Sequence, residues 1–339
     1  MKAVRSALAP IGGGVAGLVI LGLGLALLGY DAEVALGALW RGAFGSWYAL
    51  TSATMVRAVP LIVIGLGLAI SFRAGALNIG AEGQFAVGAM AATVAGLATG
   101  SWPAPLGLVA TLVAGILGGA AWILVPVGLR LRFGVLEVIS TLLLNFVAEG
   151  LVSYAVQGPL QEAKGTYPQS DPLGSAVRLA LVPGTRLHVG FFVAVALGVV
   201  LWVLFRRSQW GFRLRAVGQA PKAAAVAGGI RVERTVAIAL LCSGGLAGLA
   251  GAFEVSGVTY ALYQNLSPGY GFTAIAVALI ARTNPLGVVV AGLAFGALEA
   301  GAAGMQRDAG VPAVAVSVVQ AVIIIVALLS VRGVPGKAQ

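Results

Sequence analysis

The stretch FRAGALNIGAEGQF, residues 72–85, lies between two long apolar runs and combines an arginine, an asparagine, a glutamate and a glutamine with three glycines. Backbone that leaves a helix at membrane depth is tolerated only where it is buried in protein or lines water. Gly75, Gly80 and Gly83 permit a turn here. If both flanking runs cross a membrane, the stretch predicts an interrupted helix in the protein interior, with an ordinary cytoplasmic loop as the alternative.

Composition identifies the class of protein. The chain has 339 residues, of which 59% are hydrophobic and only 9% are charged, and its mean hydropathy is +1.00. These values are typical of an all-helical protein that crosses the bilayer many times. One cysteine, Cys242, and one histidine, His188, exclude disulfides and a Cys/His metal cluster. We expect no metal and no cofactor.

Hydropathy in a window of about 19 residues predicts about ten membrane spans. The eighth is shorter than the ~20 residues that a regular helix needs to cross the bilayer. The first follows Lys2 and Arg5 and is expected to be retained rather than cleaved as a signal. The predicted spans are residues 11–29, 49–71, 83–99, 105–129, 135–156, 189–205, 235–253, 272–281, 286–302 and 312–329.

The net charge of +10 would suggest nucleic acid as the partner of a soluble protein, but here it reflects topology, and no nucleic acid is expected. A cytoplasmic N-terminus satisfies the positive-inside rule. It also predicts a cytoplasmic C-terminus, a cell (inner or plasma) membrane location and an external loop at 158–188. The basic residues then placed inside are Lys2, Arg5, Arg73, Arg130, Arg132, Arg206, Arg207, Arg213, Arg215, Lys222, Arg231, Arg234, Arg282, Arg332 and Lys337.

Ten spans divide into two halves of five, residues 1–157 and 189–339, within one transmembrane domain. An odd number of spans per half inserts the two halves in opposite orientations. The second half has its own interruption, EVSGVTYALYQNLSPGYGF at residues 254–272, at a position that corresponds to the first. Paired interruptions of this kind point to a transport pathway.

Polar side chains near the first interruption are the candidates for that pathway. Asn78 is predicted to cap the following helix, and Glu82 near its start is favoured by the helix dipole. In the fifth span Thr141, Asn145 and Glu149 share one helix face, either on the pathway or in bonds between helices. Glu137 and Glu149 remain undecided between these roles. The predicted pathway residues are Asn78, Glu82, Gln84, Thr141 and Asn145.

The longest cytoplasmic segment, residues 206–234, contains a predicted alanine-rich helix that Pro221 starts and Gly229 stops. It has little core of its own, so it is either a docking element for another protein or a basic contact with lipid headgroups. No nucleotide-binding or catalytic motif is present in the chain. The chain is therefore not expected to be an enzyme, and any ATP must be hydrolysed by a partner subunit.

Three segments resemble one family: FRAGALNIGAEGQFAVGAM (72–90), ISTLLLNFVAEGLVSY (139–154) and GFRLRAVGQAPKAAAVAGGI (211–230). They are similar to the permease subunits of bacterial ABC importers for nucleosides and simple sugars, over residues 49–329. The resemblance implies alternating access, cytoplasmic ATP-binding subunits, an external substrate-binding protein and a second permease subunit, identical or paralogous. It also implies a coupling helix at 220–230, with Ala220, Pro221, Ala224, Gly228 and Ile230 in contact with the ATPase.

Two other functions stay open. A branched-chain amino acid ABC permease has a similar third segment, although NIGAEGQ favours the nucleoside and sugar branch. An ion-coupled secondary transporter would use Glu82, Glu137 or Glu149 as proton or ion sites. Such a carrier has no need of the 206–234 segment, which therefore favours the ABC permease.

Overall fold

The computed structural model of the chain describes residues 29–312 continuously, together with residues 19, 22–27, 314, 315, 318 and 321. These residues form helices and no β-strand; two isolated β-bridges occur, Gln169 with Tyr263 and Leu181 with His188. The all-helical prediction is confirmed for this part of the chain. The predicted spans 11–29 and 312–329 fall mostly outside it.

The α-helices are numbered here in chain order, and two of the longer ones adjoin short π-helical turns, at Ala49–Thr54 and at Val255–Thr259. They are α1 (Ala32–Phe44), α2 (Met55–Arg73), α3 (Ala81–Ala98), α4 (Ala104–Phe133), α5 (Glu137–Gln157), α6 (Gly190–Arg207), α7 (Gln209–Gln219), α8 (Pro221–Gly228), α9 (Val232–Glu254), α10 (Tyr270–Ile280) and α11 (Pro285–Asp308).

Six helical stretches in the described chain are long and apolar enough to cross a membrane. They confirm that the protein is a multi-pass membrane protein. The helix α10 has 11 residues, about 16 Å at 1.5 Å per residue, so it cannot cross alone, as the short eighth span predicted. The six stretches are Ala49–Arg73, Ala104–Phe133, Glu137–Gln157, Gly190–Arg207, Val232–Thr259 and Pro285–Asp308.

The described chain divides into two compact units, one up to Ala58 and from Leu293 onward, the other Val59–Gly292. In the first unit, α1 packs its alanine face on Ala302 and Met305. Asp31 caps α1 by accepting hydrogen bonds from the N–H groups of Glu33 and Val34. The sequence prediction missed α1, because its charged ends resemble a loop between spans.

In the second unit, α3, α4 and α9 form the centre of the packing. Gly115 and Gly119 of α4 meet Gly244 and Gly248 of α9 backbone to backbone: a Cβ added to Gly115 would lie 3.0 Å from the carbonyl oxygen of Gly248. Close approach of this kind replaces hydrophobic burial as the source of packing energy between membrane helices. Glycines spaced four residues apart in these two spans therefore lie at a close helix contact.

Candidate functional site

The first interruption is a buried turn that the side chain of Asn78 organises. Gly75, with φ of +79°, follows α2, and α3 begins after Gly80. The Asn78 amide donates to Gln84 Oε1 (2.8 Å) and to Ser243 Oγ (2.9 Å), and its oxygen accepts from the N–H of Gly80 (3.0 Å) and from Gln84 Nε2 (2.9 Å). The prediction that Asn78 caps α3 was wrong, because Ser243 and Gln84 hold its side chain and Gly80 takes the N-cap position without a side-chain bond.

Side chains of helix α5 also form hydrogen bonds with this turn. Asn145 accepts a hydrogen bond from the N–H of Gly83 and donates one to the carbonyl of Ile79, both at 2.9 Å. The hydroxyl of Thr141 accepts from the N–H of Ile79 at 3.3 Å. These bonds satisfy backbone groups that no helix satisfies at this point, which is what interrupted backbone inside a membrane requires.

The second interruption meets the first directly. After the turn Val255–Thr259, the chain passes through Ser267, whose hydroxyl accepts from the N–H groups of Gly269 and Tyr270. Glu82 Oε2 then accepts a 2.6 Å hydrogen bond from the N–H of Gly271, and the Ser267 hydroxyl also bonds to Glu82. A Cβ on Gly271 would lie 2.6 Å from the Cα of Glu82. The start of α3 and the start of α10 are therefore in backbone contact.

A cavity of about 240 Å³ lies where the two interruptions and α5 come together. Phe146 and Phe272 supply exposed aromatic surface, and the fully buried Phe85 lies behind the lining. Carboxylate, amide and hydroxyl groups supply hydrogen-bonding partners. A mostly apolar cavity with a few convergent polar groups is the usual form of a site for a small organic molecule. The polar lining residues are Glu82, Asn145, Glu149, Asn265 and Ser267.

The structure separates the five predicted pathway residues into two groups. Glu82 and Asn145 line the cavity. Asn78, Gln84 and Thr141 lie outside the lining, buried in the hydrogen-bond network that shapes it. In this arrangement they shape the cavity without touching its contents, so their predicted role in the pathway is indirect.

The two undecided glutamates have different surroundings. Glu149 lines the cavity and is exposed, and no described residue donates a hydrogen bond to it. Glu137 is buried and pairs with Arg130 Nη1 at 2.7 Å, joining the end of α4 to the start of α5. Glu137 therefore packs helices, whereas Glu149 presents a free carboxylate to the cavity.

Sequence reasoning missed several lining residues. It identified residues 254–272 as an interruption but singled out no side chain there, although Asn265, Ser267 and Phe272 line the cavity. The available signal is the pair of polar residues Asn265 and Ser267 just before Pro268 and Gly269, in an otherwise apolar region. Phe85 gave no signal, because an aromatic residue is common in any membrane helix.

The predicted helix of the 206–234 segment is present as α8, and Gly229, with φ of +58°, ends it as predicted. Ala220 is its N-cap residue. Ala224 is only 7% exposed and packs, with Ile230, against a cluster that includes Ala76 and Val217. The outward face carries Pro221, Lys222, Ala223, Ala225, Val226 and Ala227.

The 158–188 segment packs on the second interruption. The N–H groups of Ser170, Leu173 and Leu179 donate to the carbonyls of Leu262 (2.9 Å), Tyr260 (2.7 Å) and Ser256 (2.8 Å). His188, at its end, is buried, and this burial lowers the pKa of its imidazole to about 4. The segment therefore holds residues 256–262 in place beside the cavity.

Comparison with known proteins identifies the family. Residues 50–328 match the family described as branched-chain amino acid transport system, permease component. The chain belongs to this family. The permease shares 37% identity over 327 residues with the glucose ABC transporter permease protein of Haloferax volcanii, covering 93% of this chain and 85% of that protein.

Two further relatives carry names that mention nucleosides. The guanosine ABC transporter permease protein NupP of Bacillus subtilis is 36% identical over 343 residues, covering 99% of this chain and 98% of that protein. The nucleoside ABC transporter permease protein NupB of Lactococcus lactis is 29% identical over 332 residues, covering 94% and 90%. The resemblance read from the three sequence segments is confirmed: the chain is the permease subunit of an ABC transport system.

Proposed function

We propose that the permease carries nucleosides, with simple sugars such as glucose as the next candidate class, and that the cavity at Glu82 and Asn145 lies on the transport pathway. The observation that carries the proposal is the meeting of the two interruptions at Glu82 and Gly271 beside a cavity with a mixed lining. Relatives of nearly the same length are named for guanosine, nucleosides and glucose.

The lining favours a nucleoside over a sugar. Phe146 and Phe272, both exposed in the lining, offer aromatic surface to a flat base, and stacking of a base on an aromatic side chain contributes about 1–3 kcal/mol. Glu82, Asn145 and Glu149 provide acceptors for the hydroxyl and N–H groups of the same molecule. A simple sugar would use the acceptors but has no flat aromatic ring to stack.

The partners follow from what the chain lacks and from one exposed carboxylate. Without a nucleotide-binding motif the permease receives the free energy of ATP from cytoplasmic ATP-binding subunits, and an external substrate-binding protein delivers the cargo. Glu149 is exposed on a membrane helix, and an ionised side chain that faces lipid costs several kcal/mol. A second permease subunit, identical or paralogous, is therefore proposed to cover the open side of the cavity.

The proposed topology keeps ten spans, two inverted halves and both termini in the cytoplasm of a cell that has this protein in its inner or plasma membrane. Fifteen of the 21 basic residues then lie inside, in line with the positive-inside rule. A cysteine placed at Lys164 in the 158–188 segment should react with an impermeant thiol reagent from outside intact cells. Reaction only after the cytoplasmic side is opened would reverse the topology.

A series of contacts leads from α8, the proposed docking helix, through α7 to the cavity. Gly218, near the end of α7, lies against the turn after α2: a Cβ on Gly218 would be 3.2 Å from the N atom of Gly75. The same turn continues through Asn78 to Glu82. Movement of α8 by an ATP-binding subunit is therefore proposed to reach the Glu82–Gly271 contact through these two glycines, opening the cavity to one side and then to the other.

Uptake by the purified complex reconstituted in vesicles tests the function. Labelled guanosine should accumulate only with ATP, and unlabelled nucleosides should compete better than glucose, while leucine should not compete. Asn145→Leu should reduce uptake at limiting and at saturating guanosine, because Gly83 and Ile79 lose their partner, whereas the lipid-facing change Val147→Leu should have little effect. Uptake driven by an ion gradient without ATP would support a secondary transporter instead.

A further inference from the structure

Two arginines converge on one aromatic residue at the ends of two membrane spans. The Cζ atom of Arg73 lies 4.4 Å from the ring centroid of Phe205, and Arg215 Nη1 donates a hydrogen bond to the Phe205 carbonyl. Arg73 ends the span Ala49–Arg73, and Phe205 lies within the last turn of Gly190–Arg207. The Phe205 side chain itself is buried.

This arginine pair lacks a carboxylate partner in the described residues. Among the described residues, no Asp or Glu oxygen lies within 4.0 Å of either guanidinium, and the positive charge of Arg215 acts unfavourably on Arg73. The described carboxylates of this end of the second unit that form ion pairs, Glu137 and Glu233, both pair with Arg130. Two half-buried like charges without a counter-ion favour binding of an anion.

The surroundings of the pair are those of a membrane surface. Trp202, over which Arg206 lies at 4.7 Å, and Trp210, which contacts Phe205 at 6.0 Å between ring centroids, flank it. Tryptophan is enriched at the level of the lipid headgroups, where its ring is amphipathic. Anionic lipids attract basic residues at this level by about 1 kcal/mol for each charge.

We propose that Arg73 and Arg215 form a binding site for the phosphate of an anionic phospholipid headgroup. The site needs the cytoplasmic placement of Arg73, and so rests on the topology in the proposed function, but it goes beyond transport itself. Arg73 is two residues before Gly75, and Arg215 is three residues before Gly218, so both arginines flank the contact between the turn and α7. A bound headgroup thus neutralises the repulsion at the contact that links α7 to the cavity.

Native mass spectrometry of the delipidated chain, with phosphatidylglycerol added in competition with phosphatidylcholine, tests the site. The wild-type chain should retain phosphatidylglycerol in preference. Arg73→Gln and Arg215→Gln should each weaken retention about tenfold, the equivalent of the ~1.5 kcal/mol that a direct hydrogen bond to a charged group contributes. Arg213→Gln removes the same charge from an exposed position on α7 and should change retention less than twofold. Equal losses in all three variants would overturn the proposal.

Two further arms separate the sources of the anion. Excess inorganic phosphate should leave phosphatidylglycerol bound; its displacement would show a site for free phosphate rather than lipid. Arg73→Lys with Arg215→Lys should keep most of the retention, since the charge stays, and a loss as large as in the Gln variants would contradict the charge-based site. Unchanged lipid retention combined with loss of co-purifying ATP-binding subunits would assign the arginines to that partner.

The lipid measurement is independent of cargo and partners. Because it uses the isolated chain, failure of guanosine uptake leaves its result unchanged. Conversely, a chain that transports guanosine but shows no preference for phosphatidylglycerol would disprove the lipid site alone.

Discussion

Glu82 and Gly271, 189 positions apart in the chain, are joined by a 2.6 Å hydrogen bond from the backbone N–H of Gly271 to the Glu82 carboxylate. Gly271 is in the first turn of α10, where N–H groups lack partners within the helix. The carboxylate therefore caps a helix from the other interruption and is favoured by the dipole of that helix. Glu82 and the two neighbours Gly269 and Phe272 also line the cavity, so this contact lies at its wall.

Replacing Glu82 should separate its charge from its role as a cap. Glu82→Ala leaves the N–H of Gly271 and the hydroxyl of Ser267 without their acceptor, and an unsatisfied buried group costs about 1–3 kcal/mol. We expect a lower melting temperature of the purified permease and a loss of most uptake. Glu82→Gln retains an acceptor oxygen, so it should melt close to the wild type while still transporting less. Wild-type uptake by both variants would remove Glu82 from the pathway.

Val226 should be more sensitive than Ala224 as a probe of docking. Val226 is 89% exposed on α8, so Val226→Glu puts a charge on the outward face without disturbing the fold. We expect weaker co-purification of the ATP-binding subunits and loss of substrate-stimulated ATP hydrolysis, at an unchanged melting temperature. Leu181→Glu, the same kind of change at an exposed position of the 158–188 segment, is the control and should keep the ATP-binding subunits bound.

Ala224→Glu is predicted to act differently. Its carboxylate would be forced into the cluster that contains Ala76 and Val217, so the variant should lose stability as well as coupling. Normal stability together with selective loss of the ATP-binding subunits would show that Ala224 faces the partner.

Gly218 should transmit coupling. A Cβ at this position would overlap the carbonyl oxygen of Arg73, so Gly218→Ala should push α7 away from the turn at Gly75. We expect ATP hydrolysis to continue while guanosine uptake falls several-fold. Gly128→Ala in α4 is the matched control, because a Cβ there meets nothing within 4 Å. It should be neutral or stabilise by up to ~1 kcal/mol, and equal uptake by the two variants would refute the route through Gly218.

His188 should make stability depend on pH. Its folded-state pKa of about 4 lies below the ordinary value of 6.5. Between these two pH values the unfolded chain therefore binds a proton that the folded chain does not bind. Stability should therefore fall as pH decreases from 6.5 to about 4, by up to ~3 kcal/mol at 1.36 kcal/mol per pKa unit. Thermal unfolding of the wild type and of His188→Gln over this window should show the smaller pH dependence in the variant. Parallel curves would place the imidazole in a solvated site.

The positions of the interruptions could be predicted from sequence, but their contact could not. Glycine, proline and polar residues inside apolar runs are local signals, and they located both 72–85 and 254–272. The bond between Glu82 and Gly271 depends on how α3, α9 and α10 pack, which no local pattern encodes. Asn78 shows the same limit: its side chain suits a helix cap, yet long-range bonding to Ser243 decides its position.

The small-residue contacts were predictable for a different reason. Glycines four residues apart in α4 and α9 have few uses in a membrane helix other than close packing, and these helices do meet there. The helix α1 was not predictable from hydropathy, because its 13 residues are fewer than a span needs and Glu33 and Arg41 lie near its two ends. The burial of Ala224 could not be predicted either, because an alanine-rich helix has no strongly apolar face that shows which side packs against the protein.

Cysteine accessibility at Glu149 tests the transport pathway most directly. Cys242→Ala gives a cysteine-free chain, since Cys242 is the only cysteine, and Glu149→Cys then places one thiol in the cavity. In the assembled transporter, an impermeant thiol reagent should label this thiol from outside in one nucleotide state and from inside in the other, with guanosine slowing both reactions. Leu143→Cys, exposed on α5 but outside the cavity lining, should react in neither state. A Glu149→Cys chain that is as unreactive as Leu143→Cys in both states would contradict a pathway through this cavity.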